Sequence, residues 1–211
     1  MKELVSVIVP CYKDFSGIEG TLKSILNQDY ENIEIIISDD GSPGFNEEKK
    51  RILLLLDKKG NNITNVIIND LPKNVGTVKN CNSAIKCANG NYVKLLPPGD
   101  EFYSNTILSQ CVKLMKNKSD TLLIGRTFCR NKSGKNTGEY KDSIFYRYQA
   151  RHYRKSTITP TIKDIQRMKK MSEKKRNNTL QYKCVISTDS VFFPMSILED
   201  THGFFVEYSL L

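Results

Sequence analysis

Short apolar runs rich in β-branched residues alternate with segments whose apolar residues recur at helical spacing, and this alternation most limits the possible folds. Val5 to Val9 reads as a strand stopped by Pro10. Ile18, Leu22, Ile25 and Leu26 then share one helical face behind Ser16, a candidate cap. Ile33 to Ile37 reads as a second strand, Phe45 to Lys58 as a second helix and Val66 to Ile68 as a third strand. Cys81, Ala84, Ile85 and Ala88 mark a third helix ended by Gly90. Tyr92 to Leu96 follows as a fourth strand, Asn105 to about Lys116 as a fourth helix and Leu122 to Ile124 as a fifth strand. Strands joined by helices in this order predict an α/β fold, with a mostly parallel central sheet flanked by helices and right-handed crossovers.

Such a sheet brings the C-terminal ends of its strands to one edge, where ligands of open α/β folds bind. The loops at 10–14, 39–42, 69–76 and 97–101 are expected there. The most pointed of them is Asp39-Asp40-Gly41-Ser42, two carboxylates and a tight turn where a buried strand surfaces. Alone, these residues fit a metal site, a turn with a helix cap or a catalytic dyad. Neither GxGxxG after the first strand nor GxxxxGK[ST] occurs, so dinucleotide-fold and P-loop chemistry are unsupported. Acidic loops handle phosphate through a hard cation instead. Mg²⁺ or Mn²⁺ binds carboxylate oxygen, keeps water and accepts diphosphate oxygens, so one or two acids suffice. Asp100 and Glu101, after the fourth strand, can supply them.

A chain of 211 residues, 39% of them hydrophobic, can bury one substantial core. Beyond Gly125 the regularity fades. Cys129 to Gly138 reads as a hairpin or exposed loop, apolar runs return at Cys184 to Ile186 and Val191 to Phe193, and a short helix starts at about Ser196. Six cysteines without CxxC spacing indicate reduced, buried thiols. No secretory leader and no apolar run of ~20 residues is seen, which points to the cytoplasm. The net charge of +9 concentrates between Arg151 and Arg176, where ten Lys or Arg face only Asp164 and Glu173. This block reads as a solvated face, or as a contact with an anionic membrane or phosphorylated substrate. It carries no RNA-binding motif, so no nucleic-acid partner is expected. His152 and His202 read as surface or packing residues.

Four blocks, VSVIVPCY at 5–12, IIISDDGS at 35–42, NVGTVKN at 74–80 and YVKLLPPGDE at 92–101, resemble in order and spacing the N-terminal blocks of family 2 glycosyltransferases. The resemblance covers most of residues 4–115 and implies the GT-A fold, the Rossmann-like nucleotide-diphospho-sugar transferase fold. It implies a nucleotide-sugar donor, usually a UDP-sugar, a saccharide or lipid-linked acceptor, and inversion at the anomeric carbon, in cell-surface polysaccharide or glycan synthesis. By the same likeness, Pro10 and Tyr12 line the base pocket, with the Tyr12 ring facing uracil. Asp40 accepts the base N3–H with Asp39 beside it. Lys79 stands where many relatives carry Arg and either reaches the base or phosphate or faces solvent. Asp100 matches the acid that holds Mn²⁺ or Mg²⁺, with Glu101 a second candidate and Pro98 where relatives carry a further Asp. Residues 1–125 become the nucleotide-sugar-binding half and 126–211 the acceptor-side portion, incomplete at its C-terminus. The segment GFFVEYSLL at 203–211 resembles the lead-in to a Glu-Asp pair holding the catalytic base, which is therefore expected beyond Leu211. Donor binding without efficient transfer is the expectation for this chain, and a non-catalytic nucleotide-sugar-binding module is the alternative.

Overall fold

The runs Val5–Cys11 (β1) and Ile33–Asp39 (β2) pair parallel along their whole length, from Val5 opposite Ile33 to Cys11 opposite Asp39. Both are buried almost throughout, as near-continuous apolar strands of a sheet covered on both faces should be. The computed structural model describes residues 2–57, 62–118, 123–125, 128–130, 136–139 and 191–200. Around these two strands run α1 (Ile18–Leu26), α2 (Phe45–Asp57), β3 (Ile63–Asp70), α3 (Thr77–Cys87), β4 (Tyr92–Leu95), α4 (Ile107–Met115), β5 (Leu123–Ile124), β6 (Phe128–Arg130), β7 (Asn136–Glu139), β8 (Val191–Pro194) and α5 (Met195–Asp200).

The main sheet has the order β3-β2-β1-β4-β8-β5. β1, β2, β3 and β4 run parallel, whereas β8 lies antiparallel to both its neighbours. Sequence order steps outward from β1 to β3 and then returns to the other side of β1. The direction of winding thus switches between β1 and β4, the place where open α/β sheets form their ligand crevice, at the C-terminal edge. β8 departs from the expected parallel pattern. Its four residues are all buried, and it separates β5 from β4 although it comes from much later in the chain. The expected hairpin forms as β6 paired antiparallel with β7.

Strand alternation divides the core into two layers. Val5, Val7, Val9, Ile33, Ile35 and Ile37 face α1, α2 and α4, meeting Leu22, Ile52 and Leu108. Ile8, Ile36, Val93 and Leu95 face the other way, against Ala84 and Ile85 of α3 and Ile197 and Leu198 of α5. Two local expectations change. The Ser16 hydroxyl donates to Asp14 at 2.8 Å; the N-cap position of α1 belongs to Gly17, which offers no side-chain cap. Gly90 lies beyond the end of α3 and is required by packing, because a Cβ there would sit 2.5 Å from the Ser6 hydroxyl and 2.7 Å from its nitrogen.

One polar residue hides inside the second apolar run. Glu34, 1% exposed, accepts hydrogen bonds from Ser6 Oγ, the Asn89 N–H, Asn89 Nδ2 and Asn65 Nδ2 at 2.8 to 3.2 Å. Burial pushes its pKa up, but the four donors outweigh that and hold it below the ordinary value. It fastens β1, β2, β3 and the turn before β4 at the edge opposite the crevice.

Among the described residues, no helix is long and apolar enough to cross a membrane. The Arg151 to Arg176 block, His152, His202 and the Cys184 to Ile186 run lie outside the described residues.

Candidate functional site

The ends of β1 and β2 are adjacent, and the turn at 39–42 is built from its own carboxylates. Asp39, fully buried, accepts the Ser42 N–H and hydroxyl, both at 2.6 Å. The same hydroxyl accepts the Lys13 N–H at 2.8 Å, and the Asp40 N–H donates to the Cys11 carbonyl at 3.0 Å. The loop after β1 is thereby tied to the turn after β2. Lys13 pays a conformational cost, with φ at 61°, in the region most side chains avoid. Its ammonium lies over the Tyr12 ring, 4.8 Å from the centroid. Tyr12 is 41% exposed and Pro10 half-buried.

Asp40 is 3% exposed and reaches across to the next loop. Its two oxygens accept the N–H groups of Val75 at 2.7 Å and Gly76 at 3.0 Å, just before α3 begins. The Leu71 N–H donates to the Asp39 carbonyl at 3.1 Å. Gly41 has φ at 71°, and a Cβ there would lie 2.4 Å from the Lys73 carbonyl carbon, so the loop 71–76 rests directly on the turn. Behind it, buried Asn80 exchanges hydrogen bonds with Ser38 at 2.6 and 3.1 Å, and Asn69 donates to the Ser38 hydroxyl at 2.8 Å. Lys79 is exposed on the first turn of α3. The nearby thiols Cys11 and Cys81 are free and buried. Burial and then the Asp40 charge push Cys81 up to about 11, and burial with Asp39 raises Cys11 further.

The turn at 97–101 is held from outside. Its main chain closes through the Asp100 N–H to the Pro97 carbonyl at 3.0 Å, with Gly99 at φ 94°. Thr21 of α1, fully buried, donates its hydroxyl to the Asp100 carbonyl at 2.8 Å and accepts the Gly99 N–H at 3.0 Å. One turn on, Ser24 accepts the Phe102 N–H at 3.2 Å; Gln28 then donates to the Ser104 carbonyl at 2.8 Å and accepts the Leu108 N–H at 3.1 Å. A Cβ on Gly17 would fall 2.4 Å from Gly99 Cα, so α1 and this turn touch backbone to backbone. Asp100 is half-buried. Glu101 is exposed, with one carboxylate oxygen 2.6 Å from where a Cβ on Gly20 would be.

Among the described residues, no three His, Cys, Asp or Glu converge in a metal-holding group. Asp100 and Glu101 are oxygen donors of the kind Mg²⁺ or Mn²⁺ takes, one or two carboxylates with the remaining positions left to water and phosphate. Residue-pattern reading missed Thr21, Ser24, Gln28, Ser38 and Asn80 as site-building residues. The signal for the first three was present: 21, 24 and 28 form a polar stripe beside the apolar face of α1. A separate recess of about 650 Å³ opens at the opposite edge, between Glu3, Asn89, Asn91, Lys118 and Glu199. Of the four motif blocks it touches only Tyr92, at the start of the last.

The model of the family described as "Glycosyl transferase family 2" matches residues 6–190. The UDP-Glc:alpha-D-GlcNAc-diphosphoundecaprenol beta-1,3-glucosyltransferase WfaP of Escherichia coli is 32% identical over 116 residues, 55% of this chain and 43% of its own. The GalNAc(5)-diNAcBac-PP-undecaprenol beta-1,3-glucosyltransferase of Campylobacter jejuni is 34% identical over 103 residues, 49% of this chain and 32% of its own. The chain thus spans less than half the length of these relatives. Staphylococcus aureus TarS 1-349 is similar in fold, with a TM-score of 0.62 at 21% identity over 97% of this chain and 51% of that one. TarS has also been solved with UDP and with UDP-GlcNAc. The Pyrobaculum calidifontis mannosyltransferase PcManGT, in complex with GDP-Man and Mn²⁺, superposes at a TM-score of 0.52 with 20% identity, over 62% of this chain and 36% of that one.

Proposed function

Because this chain belongs to glycosyl transferase family 2, we propose that it binds a nucleotide sugar, a UDP-sugar by preference, in the crevice between the ends of β1 and β4, and that the protein transfers the sugar to a saccharide or lipid-linked acceptor. The observation that carries this reading is convergence: the turns after β1 and β2 and the loop before α3 are hydrogen-bonded together, and the turn after β4, held by α1, follows the strand that pairs with β1 on its other side, at the switch point of the sheet. The names of the Escherichia coli and Campylobacter jejuni relatives, both transferases acting on undecaprenol-linked acceptors, support the acceptor class.

In this reading the Tyr12 ring and Pro10 receive the base. Asp40 accepts the base N3–H with the capacity its two backbone bonds leave, since each carboxylate oxygen offers two lone pairs. A base without that donor forgoes this bond, while the Val75 and Gly76 N–H groups keep the carboxylate paired, so the discrimination is modest. Asp39 holds the turn beneath it, and Lys79 reaches toward the phosphates. Asp100, with Glu101 beside it, holds the divalent cation, Mn²⁺ or Mg²⁺. Bound there, the cation neutralises charge on the departing nucleoside diphosphate. The acceptor hydroxyl gives up its proton to a carboxylate base and displaces that diphosphate with inversion, in the building of a cell-surface polysaccharide or glycan. The Arg151 to Arg176 block carries any peripheral contact with an anionic membrane.

A thermal-shift screen of UDP, UDP-sugars and other nucleotide sugars, with and without Mn²⁺, tests the donor side. A shift with UDP that grows with Mn²⁺, and whose Mn²⁺-dependent part disappears in Asp100→Ala, is expected. No shift with any nucleotide overturns the proposal.

A further inference from the structure

Thr21 is a small polar residue on a helix that otherwise packs apolar side chains into the core, and it is fully buried. Such a hydroxyl is stable there only if its hydrogen-bonding capacity is met. It is met chiefly by the acidic turn: Thr21 Oγ1 lies 2.8 Å from the Asp100 carbonyl, 3.0 Å from the Gly99 nitrogen and 3.4 Å from the Pro97 carbonyl, with the Gly17 carbonyl of its own helix at 3.3 Å. With Gly17 in backbone contact with Gly99, α1 grips the turn on either side of the residue that presents its carboxylate. Ser24 and Gln28 continue the grip along 102–108 without touching the turn itself.

We propose that Thr21 is a positioning residue for the cation site, its hydroxyl fixing the two peptide groups that flank Gly99–Asp100, through the Gly99 N–H and the Asp100 carbonyl, so that the Asp100 carboxylate is held in one orientation toward the crevice. The inference rests on the donor-binding reading above. Rigid placement matters here because Mg²⁺ and Mn²⁺ demand near-octahedral geometry, so a carboxylate free to wander binds them less well. The base shelf, by contrast, is fastened through Ser42 and Asp40 and does not depend on Thr21.

The test uses the 211-residue chain and reads UDP affinity by calorimetry, once in EDTA and once in Mn²⁺. The ratio of the two affinities reports the cation site alone. In Thr21→Val, which keeps the shape and removes the hydroxyl, the Mn²⁺ enhancement falls about tenfold while affinity in EDTA stays unchanged. Thr21→Ser restores the enhancement. Thr21→Ala, which leaves room for water, provides the same reading should the valine variant fold poorly, and is expected to lose the enhancement as well. A full Mn²⁺ enhancement in Thr21→Val or Thr21→Ala, even with a lowered melting temperature, makes Thr21 merely structural and overturns the proposal. So does an equal loss in EDTA and Mn²⁺. If wild type binds UDP without any Mn²⁺ enhancement, the cation assignment to Asp100 falls and takes this inference with it. If wild type binds no nucleotide, the donor reading itself is wrong.

Discussion

The turn at 39–42 is fastened by its own carboxylates, whereas the turn at 97–101 is fastened by a hydroxyl that arrives from α1. In the first, the residues marked for chemistry are also the fixings: Asp39 closes the turn and Asp40 ties it to the loop before α3. In the second, the jobs are divided, with Thr21 holding main chain and Asp100 presenting a half-buried carboxylate. Substitution at the first turn therefore disturbs fold and recognition together. At the second, the two can be separated.

The largest effects should come from the glycines that let each turn approach its neighbour. Gly41→Ala meets the backbone of Lys73 and adds left-handed strain, so a loss of about 2–4 kcal/mol is expected. Gly17→Ala meets Gly99 without a positive φ and should cost about 1–3 kcal/mol. Urea denaturation of both variants ranks them, and the reverse order would mean that the loop 71–76 does not rest on the first turn. Asp40→Asn places an amide N–H against one of two backbone N–H groups, and should cost about 1–3 kcal/mol. Amide hydrogen exchange sharpens the comparison here: Val75 and Gly76 should exchange faster while Gly99 keeps its protection. Acceleration at Gly99 as well would show that the two turns are one coupled unit.

A smaller, pH-dependent effect belongs to neither turn and serves as their control. Glu34 titrates below the ordinary glutamate value in the folded chain, so its contribution to stability is complete above that ordinary value and is lost as pH falls through the folded pKa. Glu34→Gln should therefore destabilise most at neutral pH, with the gap to wild type narrowing on acidification below about 4.5 in denaturation series. A gap that widens on acidification reverses the sign. The smallest effect is Lys13→Asn, which keeps the left-handed backbone at lower strain and should change stability by at most about 0.5–1 kcal/mol, upward, in the same assay.

The parallel half of the fold was legible because β1, β2 and β4 are apolar runs bounded by turn residues, and because α1 and α3 keep one apolar face each. β3 was read too short: Thr64 and Asn65 are exposed on an edge strand, so only its middle looked apolar. β8 was read as an apolar run, but nothing local says that residues 191–194 insert beside β4 and displace β5; that pairing is long-range. At the site, Asp39, Asp40 and Asp100 were visible as acids at strand ends. What they bond to was not, because the Val75 and Gly76 amides and the Thr21 hydroxyl meet them only through the tertiary fold. Glu34 was overlooked for the same reason, a charged residue whose four donors come from three other segments.

The central claim, that a nucleotide occupies the crevice between these turns, is tested most directly by amide hydrogen exchange of the chain with and without UDP and Mn²⁺. Protection should appear together at Lys13, at 40–42, at Val75 and Gly76, and at Gly99 and Asp100, with the Gly99–Asp100 part requiring Mn²⁺. Protection confined to the opposite edge, around Asn89 and Asn91, or no protection at all, would contradict it.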